Sequence, residues 1–372
     1  GYGPNIFAFD QFIEKGIDTV ITVDCGSASI KPLDYAKKNG IKVIIIDHHK
    51  VDNILPECFA HINPTRKDDN SNLNHLAAVG LTFLFIVALR RSLRDVKEFN
   101  NINEPNLKKY LDIVALGTIC DVVQLKSLNR AFVKEGLKII NNTDKLGIKS
   151  LCSIAGIKDI DVYELGYILG PRINAAGRLG DANRVVELFT TPDKLRAKTL
   201  AKELDQENKM RQTIQQSVVD EALFMVNAEV DLSRDKAIVL GSQGWHQGVV
   251  GIAASKIKEE FNRPAIIISF DEEGRGKGSA RSVKGLDLYK ALNATAKYLD
   301  NYGGHAMAAG LTIQESQLAE FRKSFLAYAN KIFQENDLEP TLYLDGVIKL
   351  ADINKKFMDF LKKNGSLWSR KY

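Results

Sequence analysis

Two stretches decide the fold: residues 17–26, IDTVITVDCG, and residues 41–49, IKVIIIDHH. The first reads as an apolar strand over 17–24, stopped by Asp24 and a Cys-Gly-Ser turn. Residues 30–39 read as a short helix, closed by Gly40, a residue suited to the left-handed position after a helix end. The run at 41–46 is near-continuously apolar, the pattern of a parallel strand covered on both faces. Strand, helix and strand in that order make a βαβ unit, and hence an α/β fold with a doubly wound parallel sheet.

In such a sheet the ligand crevice lies at the carboxyl ends of the strands. Asp24 closes the first strand and Asp47-His48-His49 closes the second, so adjacent strands bring them within reach of a shared ion. Asp121, read as following a Gly117-Thr118 turn, is a candidate third arm. Carboxylates with imidazole suit Mn²⁺- or Mg²⁺-assisted phosphoester hydrolysis, in which metals activate water and neutralise the leaving oxygen. A strand-end aspartate is also a common turn or capping residue, and Asp24 alone fits both readings. The triplet differs: three polar, chargeable groups directly after a core strand are costly without a ligand.

Outward from this unit, residues 76–94 and 107–116 read as helices. Residues 194–226 form a long Gly- and Pro-free stretch whose apolar positions are widely spaced, which suits a helix bridging two domains. The second half restarts the pattern, with strands at 236–240, 264–270 and 277–282 and helices at 249–261 and 286–299. A further strand at 342–350 and a helix at 352–362 follow. The expected organisation is a first α/β domain over 1–190, a connector helix over 191–228, a smaller α/β domain over 229–338, and the start of another region over 339–372.

Composition narrows the class. With 45% hydrophobic and 26% charged residues, the 372-residue chain is neither disordered nor fibrous. Its four cysteines contain no CxxC pair and are too sparse for a disulfide scaffold, which favours a reducing cytosol. The most apolar run, residues 76–89, is fourteen long; a membrane span needs about 20. A net charge of +5 is compatible with a polyanionic partner. The first residue is Gly1 rather than Met, so the chain is expected to be a piece of something longer.

Four small-residue segments carry further candidates. GPRINAAGR at 170–178 reads as a loop in which Arg172, Asn174 and Arg178 face phosphates, since arginine offers a fork geometry for them. GKGSARS at 276–282 offers backbone N–H groups with Ser279 and Arg281 to an anion. GGHAMAAG at 303–310 lets a polyanion backbone approach Gly303 and Gly304, with His305 donating. In GWHQGVVG at 244–251, Trp245 and His246 sit beside a helix start, Trp245 fitting a stacking role or plain core equally. Each segment singly is also explained by a tight turn.

Together the motifs VDCG, DHH, GTICDVVQL, GPRINAAGR, WHQGVVGI, GSARS and GGHAMAAG, in this order over almost the whole chain, resemble the DHH phosphoesterases, in their RecJ branch of single-strand-specific DNA exonucleases. The resemblance implies that Asp24, His48 and Asp121 are ligands of a two-metal Mn²⁺ or Mg²⁺ site, that Asp47 orients it, and that His49 contacts the scissile phosphate. It implies that Arg172, Asn174 and Arg178 line the strand's path, while Ser279, Arg281, Gly304 and His305, grouped with His246 and Gly303, hold the side of the terminal 5′ phosphate. The implied reaction is 5′→3′ hydrolysis of single-stranded DNA to 5′ mononucleotides in cytoplasmic repair and recombination. The implied partners are single-stranded DNA, a single-strand-binding protein and a helicase, with the protein monomeric and not at a membrane.

Two departures from the family pattern qualify this. An aspartate-rich first strand, expected before Gly1, is missing, and Asp24, His48 and Asp121 are too few for two metals, so the chain alone is expected to be nearly inactive. The tail lacks the family's Pro-Phe-Gly turn into an OB-fold, and residues 364–372 are expected to result from a one-base slip. Other functional classes are a phosphodiesterase of short oligonucleotides or cyclic dinucleotides, and a non-catalytic single-strand-binding or replication scaffold. The retained Asp and His residues weigh against the scaffold.

Overall fold

The structure, a computed structural model, describes residues 3–51, 54–334, 337–342, 344 and 346–365. Among them, one compact unit takes in the residues up to Pro171, Val186–Ala201 and those from Lys349. The other comprises Arg172–Val185 and Lys202–Ile348.

The first unit opens with helix α1 (Ile6–Glu14), strand β1 (Thr19–Val23), helix α2 (Ile30–Lys38), strand β2 (Lys42–Ile46) and the short strand β3 (Ala60–Ile62). The three strands pair in the order β1-β2-β3, all parallel. One face packs Val43 and Ile45 against Phe9 of α1 and Leu33 and Ala36 of α2. The other packs Ile44, Ile46 and Ile62 against Leu76 and Leu81, the latter on helix α3 (Ala78–Asp95). Covering on both faces explains why β2 alternates so little. Helices α4 (Leu111–Cys120), α5 (Ser127–Ile140) and α6 (Leu146–Ala155) complete this part.

Residues 117–121 are not a turn. α4 runs through Gly117 and Thr118, and Asp121 is its C-cap. Gly117 is there for close packing: a Cβ on it would lie 2.9 Å from Val79 Cγ1. Nor is 170–178 a loop, because a π-helical turn at Glu164–Leu169 leads straight into α7 (Gly170–Leu179). Proline lacks the N–H of a helical bond, and the wider turn lies just ahead of Pro171. A short helix α8 (Asn183–Thr190) and the long helix α9 (Lys194–Glu229) follow. Leu200, Leu204 and Val218 of α9 are buried, whereas Leu195 is exposed.

The second unit contains strand β4 (Ile238–Gln243), helix α10 (Val250–Phe261), strands β5 (Ala265–Phe270) and β6 (Arg275–Arg281), helix α11 (Leu288–Ala294), strands β7 (Asn301–Gly304) and β8 (Ala308–Gln314), and helix α12 (Leu318–Ile332). The sheet order is β4-β5-β6-β8-β7, with only β4 and β5 parallel. α10 and the α9 residues Val218, Val219, Ala222 and Val226 cover one core, and α11 and α12 the other.

Several expectations change here. The helix read over 286–299 is α11 followed by a 3₁₀ turn at Ala296–Tyr298. The strand expected over 277–282 forms as β6. Since β6 is paired on both sides, its backbone N–H groups serve the sheet rather than an anion. Its Gly276 and Gly278 are small because a Cβ would lie 2.5 Å from Phe270 and 2.9 Å from Ile268 respectively. Residues 303–310 form the β7–β8 hairpin. No strand occurs over 342–350 among the described residues; a 3₁₀ turn at Leu350–Asp352 precedes helix α13 (Lys355–Gly365). Most of the tail read as a frame slip, residues 366–372, lies outside the described residues. No helix among the described residues is long and apolar enough to cross a membrane.

Candidate metal centre

The register of the parallel pair builds the site. Val23 stands opposite Ile46, so Asp24 and Asp47 emerge abreast at the carboxyl ends of β1 and β2. The ladder runs one residue further: Asp24 N–H donates to Ile46 O (2.9 Å) and Asp47 N–H to Ile62 O (3.0 Å). Asp24 then turns the chain with φ +62°, a left-handed conformation that aspartate tolerates better than most residues.

His48 is the centre. Its Nδ1 lies 3.1 Å from Leu76 O, a carbonyl that can only accept, so the ring proton is on Nδ1. Nε2 therefore faces Asp24 Oδ1 at 3.2 Å and Asp121 Oδ2 at 3.6 Å. This buried Nε2 makes no hydrogen bond of good geometry among the described residues. A lone pair directed at two carboxylates is stable only with a cation between them, either a proton or a metal. Burial opposes charge on His48, but Asp24 and Asp121 outweigh it and raise its pKa above the ordinary histidine value. One donor atom each from Asp24, His48 and His49 lie within 4.8 Å of one another. Oxygen donors with imidazole suit Mn²⁺ or Mg²⁺, so the residues present fit such an ion.

Asp47 is 1% exposed and holds the two strand ends together. Its Oδ1 accepts from His48 N (2.8 Å), His49 N (3.2 Å) and His49 Nδ1 (2.7 Å), and its Oδ2 from Ser27 N (3.1 Å). Burial by itself would raise this carboxyl, yet the bonds from His49 and Ser27 hold it well below the usual carboxylate range. In return, the bond to Asp47 raises the His49 pKa, against the smaller pull of burial.

Sequence reasoning passed over the residues behind this layer. Ser27 Oγ is 2.9 Å from His61 Nε2 and accepts from Asn63 Nδ2 at 2.9 Å. Asn63 Nδ2 and Thr65 Oγ1 both donate to His49 O at 2.9 Å. A cavity of about 520 Å³ lies beside His61 and Asn63, and Asp24, His48 and Asp121 are not in its lining.

The second unit gathers a different set. Arg178 Nη1 donates to Gly248 O (3.0 Å), and Gly248 N–H donates to His246 Nδ1 (3.1 Å). Arg281 Nη1 reaches Ser279 Oγ (2.9 Å). A Cβ on Gly251, in the first turn of α10, would lie 3.1 Å from Ser279 Oγ and 3.2 Å from Arg281 Nη2. Burial lowers the Arg281 pKa and the charge of Arg178 lowers it further; Arg211 is affected in the same way. None of these three guanidiniums is ion-paired with a carboxylate among the described residues, and Arg211 is held by Asn208 and Gln215. Mutually repelling arginines beside a helix N-terminus make a site for an anion. Arg211 was not singled out in the sequence because it lies inside a long, polar helix.

The remaining candidates are scattered by comparison. Arg172 pairs with Asp205 at 2.9 Å, and Asn174 is exposed. Ser279, Gly310 and Gly303 stand abreast across β6, β8 and β7. Gly304 has φ +141°, and a Cβ there would lie 2.5 Å from Ala308 O; His305 N–H donates to Ala308 O.

Comparison with known proteins agrees with this layout. Residues 4–118 match the DHH family N-terminal domain and residues 234–331 the DHHA1 domain. Sheet, strand-end Asp-His-His and second unit thus define a protein of the DHH class. The single-stranded-DNA-specific exonuclease RecJ of Bacillus subtilis is 38% identical over 357 residues, which is 95% of this chain and 43% of that protein. A crystal structure of an exonuclease RecJ bound to manganese superposes with TM-score 0.75 at 32% identity, covering 91% of this chain and 82% of the other. A RecJ from Thermus thermophilus in complex with Mg²⁺ gives TM-score 0.66 at 31% identity, covering 84% and 44%. The chain belongs to the RecJ family. It spans less than half the length of the Bacillus relative.

Proposed function

We propose that the chain is the catalytic part of a metal-dependent exonuclease that degrades single-stranded DNA 5′→3′ to 5′ mononucleotides. The observation that carries the reading is the convergence of Asp24 Oδ1 and Asp121 Oδ2 on the buried His48 Nε2. These three residues would hold Mn²⁺ or Mg²⁺, which when bound supplies a Lewis acid that activates water and neutralises the leaving oxygen. Asp47 engages His49 through Nδ1, which leaves Nε2 of that half-exposed ring as the atom for the scissile phosphate. Arg178, Ser279 and Arg281, with His246, Gly303, Gly304 and His305, receive the terminal 5′ phosphate, and Arg211 reinforces their charge. Arg172, oriented by Asp205, and Asn174 line the strand's path.

In this reading residues 1–190 are the catalytic domain, 191–228 the connector, 229–338 the substrate-binding domain and 339–372 the start of an OB-fold region. The protein works as a monomer in cytoplasmic repair and recombination, with a single-strand-binding protein and a helicase as partners. The test combines binding with turnover. Tighter binding of a 5′-phosphorylated than a 5′-hydroxyl oligonucleotide is expected; equal binding refutes the assigned phosphate site. With Mn²⁺, turnover is expected to be slight, since Asp24, His48 and Asp121 supply ligands for one metal rather than two. Robust turnover overturns that expectation, and faster cleavage of dinucleotides than of long strands overturns the exonuclease.

A further inference from the structure

Three side chains that neither the motifs nor the proposed chemistry use converge behind the metal cluster: Ser27 in the loop after β1, His61 in β3 and Asn63 just beyond it. Hydrogen bonds link all three. Asn63 Oδ1 accepts from Thr65 N at 2.9 Å, which fixes the orientation of the amide. Its Nδ2 then donates both to His49 O and to Ser27 Oγ. Ser27 Oγ also lies within hydrogen-bond distance of His61 Nε2, at 2.9 Å. Burial and the nearby Arg66 charge both favour the neutral ring.

We infer that Ser27, His61 and Asn63 are positioning residues of the metal cluster, forming a brace from β3 across the end of β2 to the loop after β1. One end of the brace fixes Ser27, whose N–H meets Asp47 Oδ2. The other fixes the His49 carbonyl. Asp47 is clamped between them, and Asp47 in turn aims the His49 ring through the 2.7 Å bond to Nδ1. Outer partners of this kind fix ring orientation and ligand basicity in metal sites. The inference rests on the metal-centre reading for its effect on the ion, while the hydrogen bonds themselves do not depend on it.

The test compares His61→Leu with His61→Gln in the full 372-residue chain. Leucine fills the space without a hydrogen-bonding group, whereas the glutamine amide can still bond Ser27 Oγ. The cavity beside His61 leaves room for either side chain to settle. Imidazole nitrogen resonances are recorded without metal, and Mn²⁺ affinity is then titrated. The leucine variant is expected to lose the slowly exchanging Nδ1–H signal of His49 and to weaken Mn²⁺ binding roughly tenfold, the glutamine variant to stay within about twofold. An unchanged His49 signal in the leucine variant, or equal behaviour of the two variants, overturns the inference. If the wild type binds no Mn²⁺, the metal reading falls and the His49 signal alone decides the brace. Should the leucine variant fail to fold, Ser27→Ala, which removes only the hydroxyl, provides the same comparison.

Discussion

Replacing Asp47 with asparagine is the sharpest test of how the site is held. The carboxylate collects four hydrogen bonds, three on Oδ1 and one on Oδ2. Asparagine has the same shape but a single acceptor oxygen. Placing that oxygen at Oδ1 keeps three bonds and sets the new NH₂ against Ser27 N–H at the present 3.1 Å, donor facing donor. Leaving one buried donor unsatisfied costs about 1–3 kcal/mol, and turning charge-assisted bonds into neutral ones removes about 1 kcal/mol more from each. The sum is about 4–6 kcal/mol, at and just above the range found for breaking a buried charged pair.

The pH dependence has a definite sign. The folded Asp47 pKa is depressed, so its contribution is present above the unfolded value of about 4 and is lost as pH falls below that. The folded His49 pKa is raised by the same bond, so its share is full below the unfolded value of about 6.5 and is lost as pH rises. The gap between wild type and Asp47→Asn should therefore be widest between about pH 4 and 6.5. Urea denaturation of both proteins in chelator, across that window and on either side, measures it. A gap below about 1 kcal/mol at pH 5.5, or one that widens toward acid, refutes the assignment of Asp47 as the charged clamp.

Three further outcomes are expected. Gly136→Ala should destabilise by about 3 kcal/mol or more in thermal denaturation, because its Cβ would lie 2.2 Å from Leu111 O and 2.4 Å from Ala115 Cβ, forcing α5 off α4. Arg178→Met should leave the melting temperature unchanged or higher, since it relieves repulsion of Arg211 and Arg281, while weakening the stabilisation that added pyrophosphate confers on the wild type. Mn²⁺ should raise the melting temperature of the wild type and EDTA should reverse this, whereas His48→Ala should show neither response.

What could be read from the residues, and what could not, divides along a physical line. β2 was legible because a strand covered on both faces must be apolar throughout and must stop where polar residues begin; β1, the edge strand and largely exposed, was legible from its β-branched run, and their pairing sets Asp24 beside Asp47. Glycine is different, since it serves turns, anion contacts and close packing alike. In 276–282 the reason for glycine is Phe270 and Ile268 on β5 and Leu311 on β8, which only strand pairing sets against it. The same ambiguity hid β7 and β8 and made α7 look like a loop. The brace of Ser27, His61 and Asn63 was out of reach for a related reason: each residue is ordinary alone, and only the pairing of β2 with β3 brings them together. Arg211 shows the limit most clearly. In sequence it is one charge in a polar helix; buried where the charge of Arg178 acts on it, it becomes a charge that favours an anion. Residues whose role comes from what their own segment must bury are readable one segment at a time. Residues whose role comes from a neighbour supplied by another segment are not, and those are the residues that complete both candidate sites here.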